Sequence, residues 1–370
     1  MEKTDTPRIL YLDAARCAAI LLIALNHAVS RTWYIYTSSQ EEFAKINRFS
    51  SILKTILYVF SLFGVPLFLM ITGALILKRR FETKEELVRF YRHNWLSLLI
   101  TAEIWFFIGY WFNLLLDPAN QALREAGIGD ALLGCLKTLL FVDQLRFGSM
   151  WYVPMILSVY VMLPLAAYLL HHLPDRRALL LPLIGVFLTD LLLPTINRYY
   201  VLPGNDPLHY YLYGENFLSA YLLYVFMGWW ISAGGLKKLS DRALIAAAIL
   251  CFLLCTSLQF FLFSCSAERI EYMSPGTLAC SALLFECFRR YSERLRRWER
   301  PIAAISRSSF AVYLLHIYFM SALYWFCDFS DWPRRAIVMT YLLVSLAGSA
   351  LIIWPLSKIP FCRKYLFLIE

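Results

Sequence analysis

Ten apolar runs divide this 370-residue chain, at roughly 9–29, 55–77, 94–115, 149–170, 178–196, 214–235, 242–263, 272–290, 302–326 and 335–356. Each has roughly the 18–25 residues that an α-helix needs to cross a bilayer core. Few folds are open to such a chain. In hydrocarbon every backbone N–H and C=O must be satisfied within a helix or a closed barrel. The runs are continuous rather than alternating. The expected fold is therefore all-α: a polytopic integral membrane protein of about ten transmembrane helices, forming a single domain over 1–370. Hydrophobic residues make up 60 % of the chain and charged residues 16 %, with a mean hydropathy of +0.57. Soluble domains run nearer about 45–50 % and 25 %. The fifth run carries Asp190 and the eighth is broken by Pro275 and Gly276. Ile128–Val142 is shorter and contains Lys137, which suits an interfacial or re-entrant helix.

Lysine and arginine set the expected orientation. With a cytoplasmic N-terminus, 22 of the 35 basic residues fall in cytoplasmic segments and 11 on the other side, the last two being Arg16 and Arg307 within spans. Both termini are then cytoplasmic. The net charge of +9 follows from topology, and nucleic acid is not an expected partner. The densest basic run, RRYSERLRRWERP at 289–301, reads as a positive-inside anchor. The first run has Asp13 and Arg16 and no small-residue cleavage site, so it is expected to be a retained span. None of the nine cysteines forms a C-x-x-C pair and no Cys/His cluster has zinc spacing, so no metal site is expected and the thiols read as small core hydrophobes. Phosphate-cradling glycine motifs, G-x-S-x-G and H-E-x-x-H are all absent.

Against that background the polar residues inside the runs stand out. A cation near the centre of a span costs roughly 2.5–3.5 kcal/mol on insertion scales, so such residues point to function. The first run, ILYLDAARCAAILLIALNHAV, holds Arg16 and His27. Eleven steps of 100° return to within about 20° of the start, and eleven rises of 1.5 Å amount to roughly 16 Å. One helix face therefore carries a cation near one membrane surface and an imidazole near the other. A local pair with Asp13, one turn away, or snorkelling to the surface is the plainer reading of Arg16. For His27 that reading is an interfacial histidine. Gly64, Pro66, Thr72 and Gly73 in the second run suit close helix packing. Lys78, Arg79, Arg80, Arg89, Arg92 and His93 follow it. They are either the positive-inside signal or a phosphate-binding cluster. Glu103 in the third run requires a cationic partner from another helix. Trp151 and Tyr152 open the fourth run, where an aromatic belt is the alternative. His316 lies near the middle of the ninth, and Gln259 is a further intrusion.

Four stretches taken in order resemble the membrane acyltransferase-3 family of bacterial multi-span O-acyltransferases. YLDAARCAAILLIALNHA is similar to the family's Leu-Asp-x-x-Arg start with its Arg, ten residues, then His. FGVPLFLMITGALIL resembles the second-span pattern, with Thr72-Gly73 where Ser-Gly is usual. MWYVPMILSVYVMLPL and ISRSSFAVYLLH resemble the Trp-Tyr span and the late span ending Tyr-x-x-His. The resemblance implies transfer of an acyl group, usually acetyl from cytoplasmic acetyl-CoA, to a hydroxyl of an envelope sugar or polysaccharide precursor at the bacterial cytoplasmic membrane. No cofactor is then held permanently; acyl-CoA is the donor substrate. Arg16 and His27 would be the signature pair, with His27 as general base and Arg16 in the donor path. Arg80 and Arg92 would match the basic positions that hold the CoA phosphates. His316 is a second catalytic candidate, and Glu103, Trp151 and Tyr152 are the acceptor-binding candidates. The rival readings are a transporter or flippase of an envelope precursor, an O-acyltransferase relying on His316 alone, and a non-catalytic accessory subunit.

Overall fold

The computed structural model describes residues 9–36, 40–125, 127–143, 148–208, 220–266 and 268–369. Among them all regular structure is helical. The helices used below are α1 (Leu10–Thr32), α2 (Arg48–Ser61), α3 (Gly64–Ile76), α4 (Leu96–Leu116), α5 (Ile128–Leu139), α6 (Tyr152–His172), α7 (Tyr221–Ser232), α8 (Asp241–Cys265), α9 (Pro275–Tyr291), α10 (Glu299–Phe326) and α11 (Arg334–Leu356). Polar side chains start several of them. Asn47 accepts from the Ser50 N–H, Ser240 from that of Ala243, and Ser274 from that of Thr277, with Pro275 in the first turn of α9.

Eight described helical stretches are long and apolar enough to cross a membrane, where ten spans are expected from the sequence. Two runs account for the difference. The expected spans 272–290 and 302–326 lie in one helical stretch, Pro275–Phe326, whose 52 residues are interrupted by a 3₁₀ segment at Ser292–Trp298. The described helix of the sixth run is α7, with 12 residues, and 209–219 lie outside the described residues. The second run is longer than expected: α2 and α3 together form the stretch Arg48–Ile76. The break between them falls at Leu62–Phe63, so Pro66 sits in the first turn of α3, where its missing N–H costs no helical bond. Helix α5 is separate and has 12 residues, too short to span. Apolar side chains face outward along α8 and α11: Leu250 is 66 % exposed and Leu351 is 75 % exposed. Such surfaces belong in hydrocarbon.

Two compact units make up the chain, Met1–Arg80 with Leu165–Ser306, and Phe81–Pro164 with Arg307–Glu370. In the first unit, glycines let helix backbones meet. A Cβ on Gly64 would come within 2.8 Å of the Ala19 carbonyl and the Ile23 side chain, which brings α3 against α1. A Cβ on Gly73 would overlap the Val225 carbonyl, and one on Gly228 would overlap the Met70 backbone, so α3 and α7 cross with the glycine of each helix against the backbone of the other. Close packing is thus the role of the second run's small residues. The connection after α8 is tied down by buried side chains. Tyr58 donates to the Ile270 carbonyl at 2.8 Å, Tyr224 to the Tyr272 carbonyl at 2.5 Å, and Gln259 accepts from the Ile270 N–H at 2.5 Å. Gln259 is therefore a structural anchor. Lys54 is 1 % exposed, with its ammonium 4.7 Å from the Phe263 ring centre and 5.2 Å from that of Phe43. Glu286, with no exposed surface, is enclosed by Arg289 at 2.7 Å and Arg290 at 2.5 Å. Arg290 also reaches Asp241 at 2.8 Å and the Leu236 carbonyl at 2.6 Å. The start of the 289–301 basic run is therefore an internal tie as well as a surface charge.

In the second unit, α4 carries the aromatic core. Trp105 packs on Tyr318 and Phe367, and Phe112 on Tyr318 and Trp325. Thr101 and Trp105 donate to the Tyr365 and Leu366 carbonyls, both at 2.7 Å, which pins the C-terminal segment to α4.

The glycine crossing yields a direct expectation. Gly73→Val drives a branched side chain into the α7 backbone, and overpacking of this kind costs typically about 1–3 kcal/mol. The purified variant should melt several degrees below the wild type. An unchanged melting temperature would mean that α3 and α7 do not touch at Gly73.

Candidate active site

Arg16 and His27 both lie on α1 and both are half-buried. Around Arg16 the chain builds a polar knot inside the first unit. Asp13 is 7 % exposed and Ser306 3 % exposed. The Ser306 hydroxyl donates to Asp13 Oδ1 at 2.5 Å and accepts from Arg16 Nη1 at 3.3 Å. Arg16 Nη1 also stands 3.6 Å from Asp13 Oδ1. Alongside, the Cys17 thiol points to the Ile302 carbonyl at 3.2 Å. The guanidinium is thus anchored through one nitrogen and turned by a buried carboxylate. Its other N–H groups have no partner among the described residues, and its side chain keeps 28 % of its surface exposed. The Asp13 pairing and a free donor face therefore coexist.

Farther along α1, the residue beside His27 fixes the helix against α2. Asn26 is 1 % exposed and its Nδ2 donates to the Ser61 hydroxyl at 2.9 Å. Ser61 in turn donates to the Tyr58 carbonyl at 2.6 Å. This holds the axial position of α1 close to the histidine. Arg80 lies on the exposed Lys78–Arg80 run that follows α3. The base of that run is fixed by His171, whose Nε2–H donates to the Leu77 carbonyl at 2.9 Å.

The second unit holds the remaining candidates. His316 is fully buried on α10. Its Nδ1 lies 2.6 Å from the Tyr313 carbonyl and 3.2 Å from the Val312 carbonyl. A carbonyl only accepts, so Nδ1 carries a proton and donates it. The Tyr313 ring lies 5.9 Å from the imidazole and meets Tyr152 edge-on at 5.4 Å, and Tyr152 meets Trp151 at 6.3 Å. Trp151, Tyr152 and His316 thus join one aromatic cluster through Tyr313. Arg92 is exposed, on a π-helical turn at Tyr91–Trp95 that leads into α4. Glu103 is half-buried on α4, and among the described residues it has no cationic partner, contrary to the expectation of a cross-helix pair.

Ser306 has no role assigned from the sequence. A serine beside Arg307 gives no sign that it meets an aspartate 293 positions earlier. Tyr313 is the tyrosine of the Tyr-x-x-His stretch, but nothing in the sequence shows that it meets Tyr152.

The family described as an acyltransferase domain, of the acyltransferase-3 type, matches residues 9–354. No curated protein and no solved structure matches the chain. The match takes in the helix with Arg16 and His27, the glycine-packed second run, the aromatic cluster and the helix with His316. On a match over nearly its whole length, through span-length apolar helices, the chain belongs to the acyltransferase-3 family and is a multi-pass membrane acyltransferase.

Proposed function

We propose that the protein moves an acetyl group from cytoplasmic acetyl-CoA to a hydroxyl of a cell-envelope sugar or polysaccharide precursor. It does so in the bacterial cytoplasmic membrane. One observation carries this reading. Arg16 is anchored by Asp13 and Ser306 while its other donors have no partner among the described residues, on the same helix as His27. A guanidinium held in that way suits the phosphate or amide oxygens of an acyl-CoA. The separation along α1, roughly 16 Å from the helical rise, suits the extended pantetheine arm between nucleotide and thioester. Arg80, in the same unit as Arg16, is an exposed cation that suits the nucleotide phosphates at the cytoplasmic side.

His27 acts as the general base. Its imidazole takes the proton of the acceptor hydroxyl as the oxygen attacks the thioester carbonyl. The C–O bond forms, the tetrahedral adduct collapses and the C–S bond breaks. The CoA sulfur then leaves with the proton returned by the imidazolium. No electrons are exchanged with a third partner. In the second unit, His316 supports the aromatic cluster of Trp151, Tyr152 and Tyr313.

The test is acetyl transfer by the purified protein in detergent, with labelled acetyl-CoA and a panel of envelope sugars. Label should reach the acceptor, and acetyl-CoA should be consumed only when acceptor is present. A well-folded sample that neither binds acetyl-CoA nor transfers label would hand the case to the transporter reading. His316→Ala separates support from chemistry. It removes a buried side chain, at a cost of roughly 2–5 kcal/mol for large-to-small changes. The expected result is a lowered melting temperature with a smaller loss of rate than in His27→Ala. A variant that melts like wild type but transfers nothing would move the chemistry to His316.

A further inference from the structure

Three cysteines that the sequence keeps apart meet inside the first unit. Cys251 and Cys255 are one turn apart on α8, and Cys280 comes from α9. The Cys280 sulfur lies 3.1 Å from that of Cys251 and 3.8 Å from that of Cys255, and all three sulfurs fall within 4.8 Å of one another. Cys255 and Cys280 are each 4 % exposed. Room for the cluster comes from Gly276, where a Cβ would stand 2.5 Å from the Cys255 sulfur. The setting is uncharged along both helices. No charged residue occurs between Ala243 and Cys265 or between Pro275 and Phe285.

We infer that Cys251, Cys255 and Cys280 form a three-sulfur site for one soft, thiophilic trivalent ion of the arsenic(III) type. Thiolates select soft metals and metalloids. Charge decides among them, because an uncompensated charge is costly in an apolar interior. Three thiolates on a divalent ion leave one negative charge, and on a monovalent ion two. On a trivalent centre they leave none. Arsenous acid is itself neutral and can reach a buried site. Each thiol gives its proton to one departing hydroxide, three As–S bonds replace three As–O bonds, and three waters leave. No oxidation or reduction takes place. The adduct joins α8 to α9. This inference is independent of the acyl-transfer reading.

The experiment is intact-mass spectrometry of the full-length protein in detergent after equimolar arsenite, with thiol alkylation of the unfolded product as a second readout. Wild type should gain one arsenic and lose three hydrogens per chain, and those three thiols should resist alkylation. Cys251→Ser and Cys280→Ser should fall to background uptake, while Cys265→Ser and Cys327→Ser, at exposed thiols, should bind like wild type. Arsenic-edge absorption should show three sulfur neighbours. Undiminished uptake in Cys280→Ser would overturn the site. So would no uptake by a monodisperse wild type with all three thiols reactive, or a Cys251–Cys280 disulfide in the protein as isolated. Retention of cadmium in preference to arsenite would overturn the charge argument on which the choice of ion rests.

Discussion

Replacing His27 with alanine is expected to lower acetyl transfer by roughly 10²–10⁴-fold, the usual worth of a positioned general base, while the protein remains folded. A thioester needs little activation, whereas an acceptor hydroxyl must lose its proton as it attacks. An imidazole titrates near neutrality and suits that task. The change leaves the polar tie of the neighbouring residue in place. Asn26 and Ser61 hold α1 against α2. Transfer rate at saturating acetyl-CoA, set beside the melting temperature, is the measurement. His27→Gln keeps a similar volume and hydrogen-bonding capacity but no base, and it should be equally inactive. A His27→Ala protein that keeps a tenth or more of the wild-type rate would remove His27 from the chemistry.

Arg16→Ala is expected to act on donor binding first. Hydrogen bonds to charged groups are worth about 1.5–3 kcal/mol, so the acetyl-CoA concentration needed for half-maximal rate should rise roughly 10–150-fold. Stability should change as well. Asp13 is buried and would keep Ser306 but lose the Arg16 guanidinium. Breaking a fully buried pair costs about 3–5 kcal/mol. With the Arg16 side chain 28 % exposed, solvent screens the pair, and about 1–2 kcal/mol is expected. The two effects can be parted. Asp13→Asn combined with Arg16→Ala removes the buried carboxylate as well and should restore the melting temperature without restoring donor binding. Acetyl-CoA should raise the melting temperature of the wild type by mass action and have little effect on either variant. Equal stabilisation of wild type and Arg16→Ala would place the donor elsewhere.

Much of this molecule is written locally. A bilayer-spanning helix is selected by the apolarity and length of its own segment, so the runs could be read one at a time. Helix starts were likewise local, since Ser240 and Ser274 cap the segments they precede. The Arg16–His27 pair was legible because both residues share one helix, whose period places them on one face. Its partner Asp13 was legible for the same reason. The sequence could also mark Gly73 and Gly228 as small, but not as lying against Val225 and Met70.

Tertiary packing decided the rest. Ser306 beside Asp13, Cys280 beside Cys251 and Cys255, and Tyr313 between Tyr152 and His316 all join residues on different helices. So do the burial of Lys54 between Phe43 and Phe263 and the reach of Arg290 on α9 to Asp241 on α8. Such meetings depend on the rotation and axial register of one helix against another. Those are set by small-residue contacts and buried hydrogen bonds distributed along both partners. Composition and periodicity fix which face of a helix is polar, but the side chain opposite that face is chosen only when the helices dock.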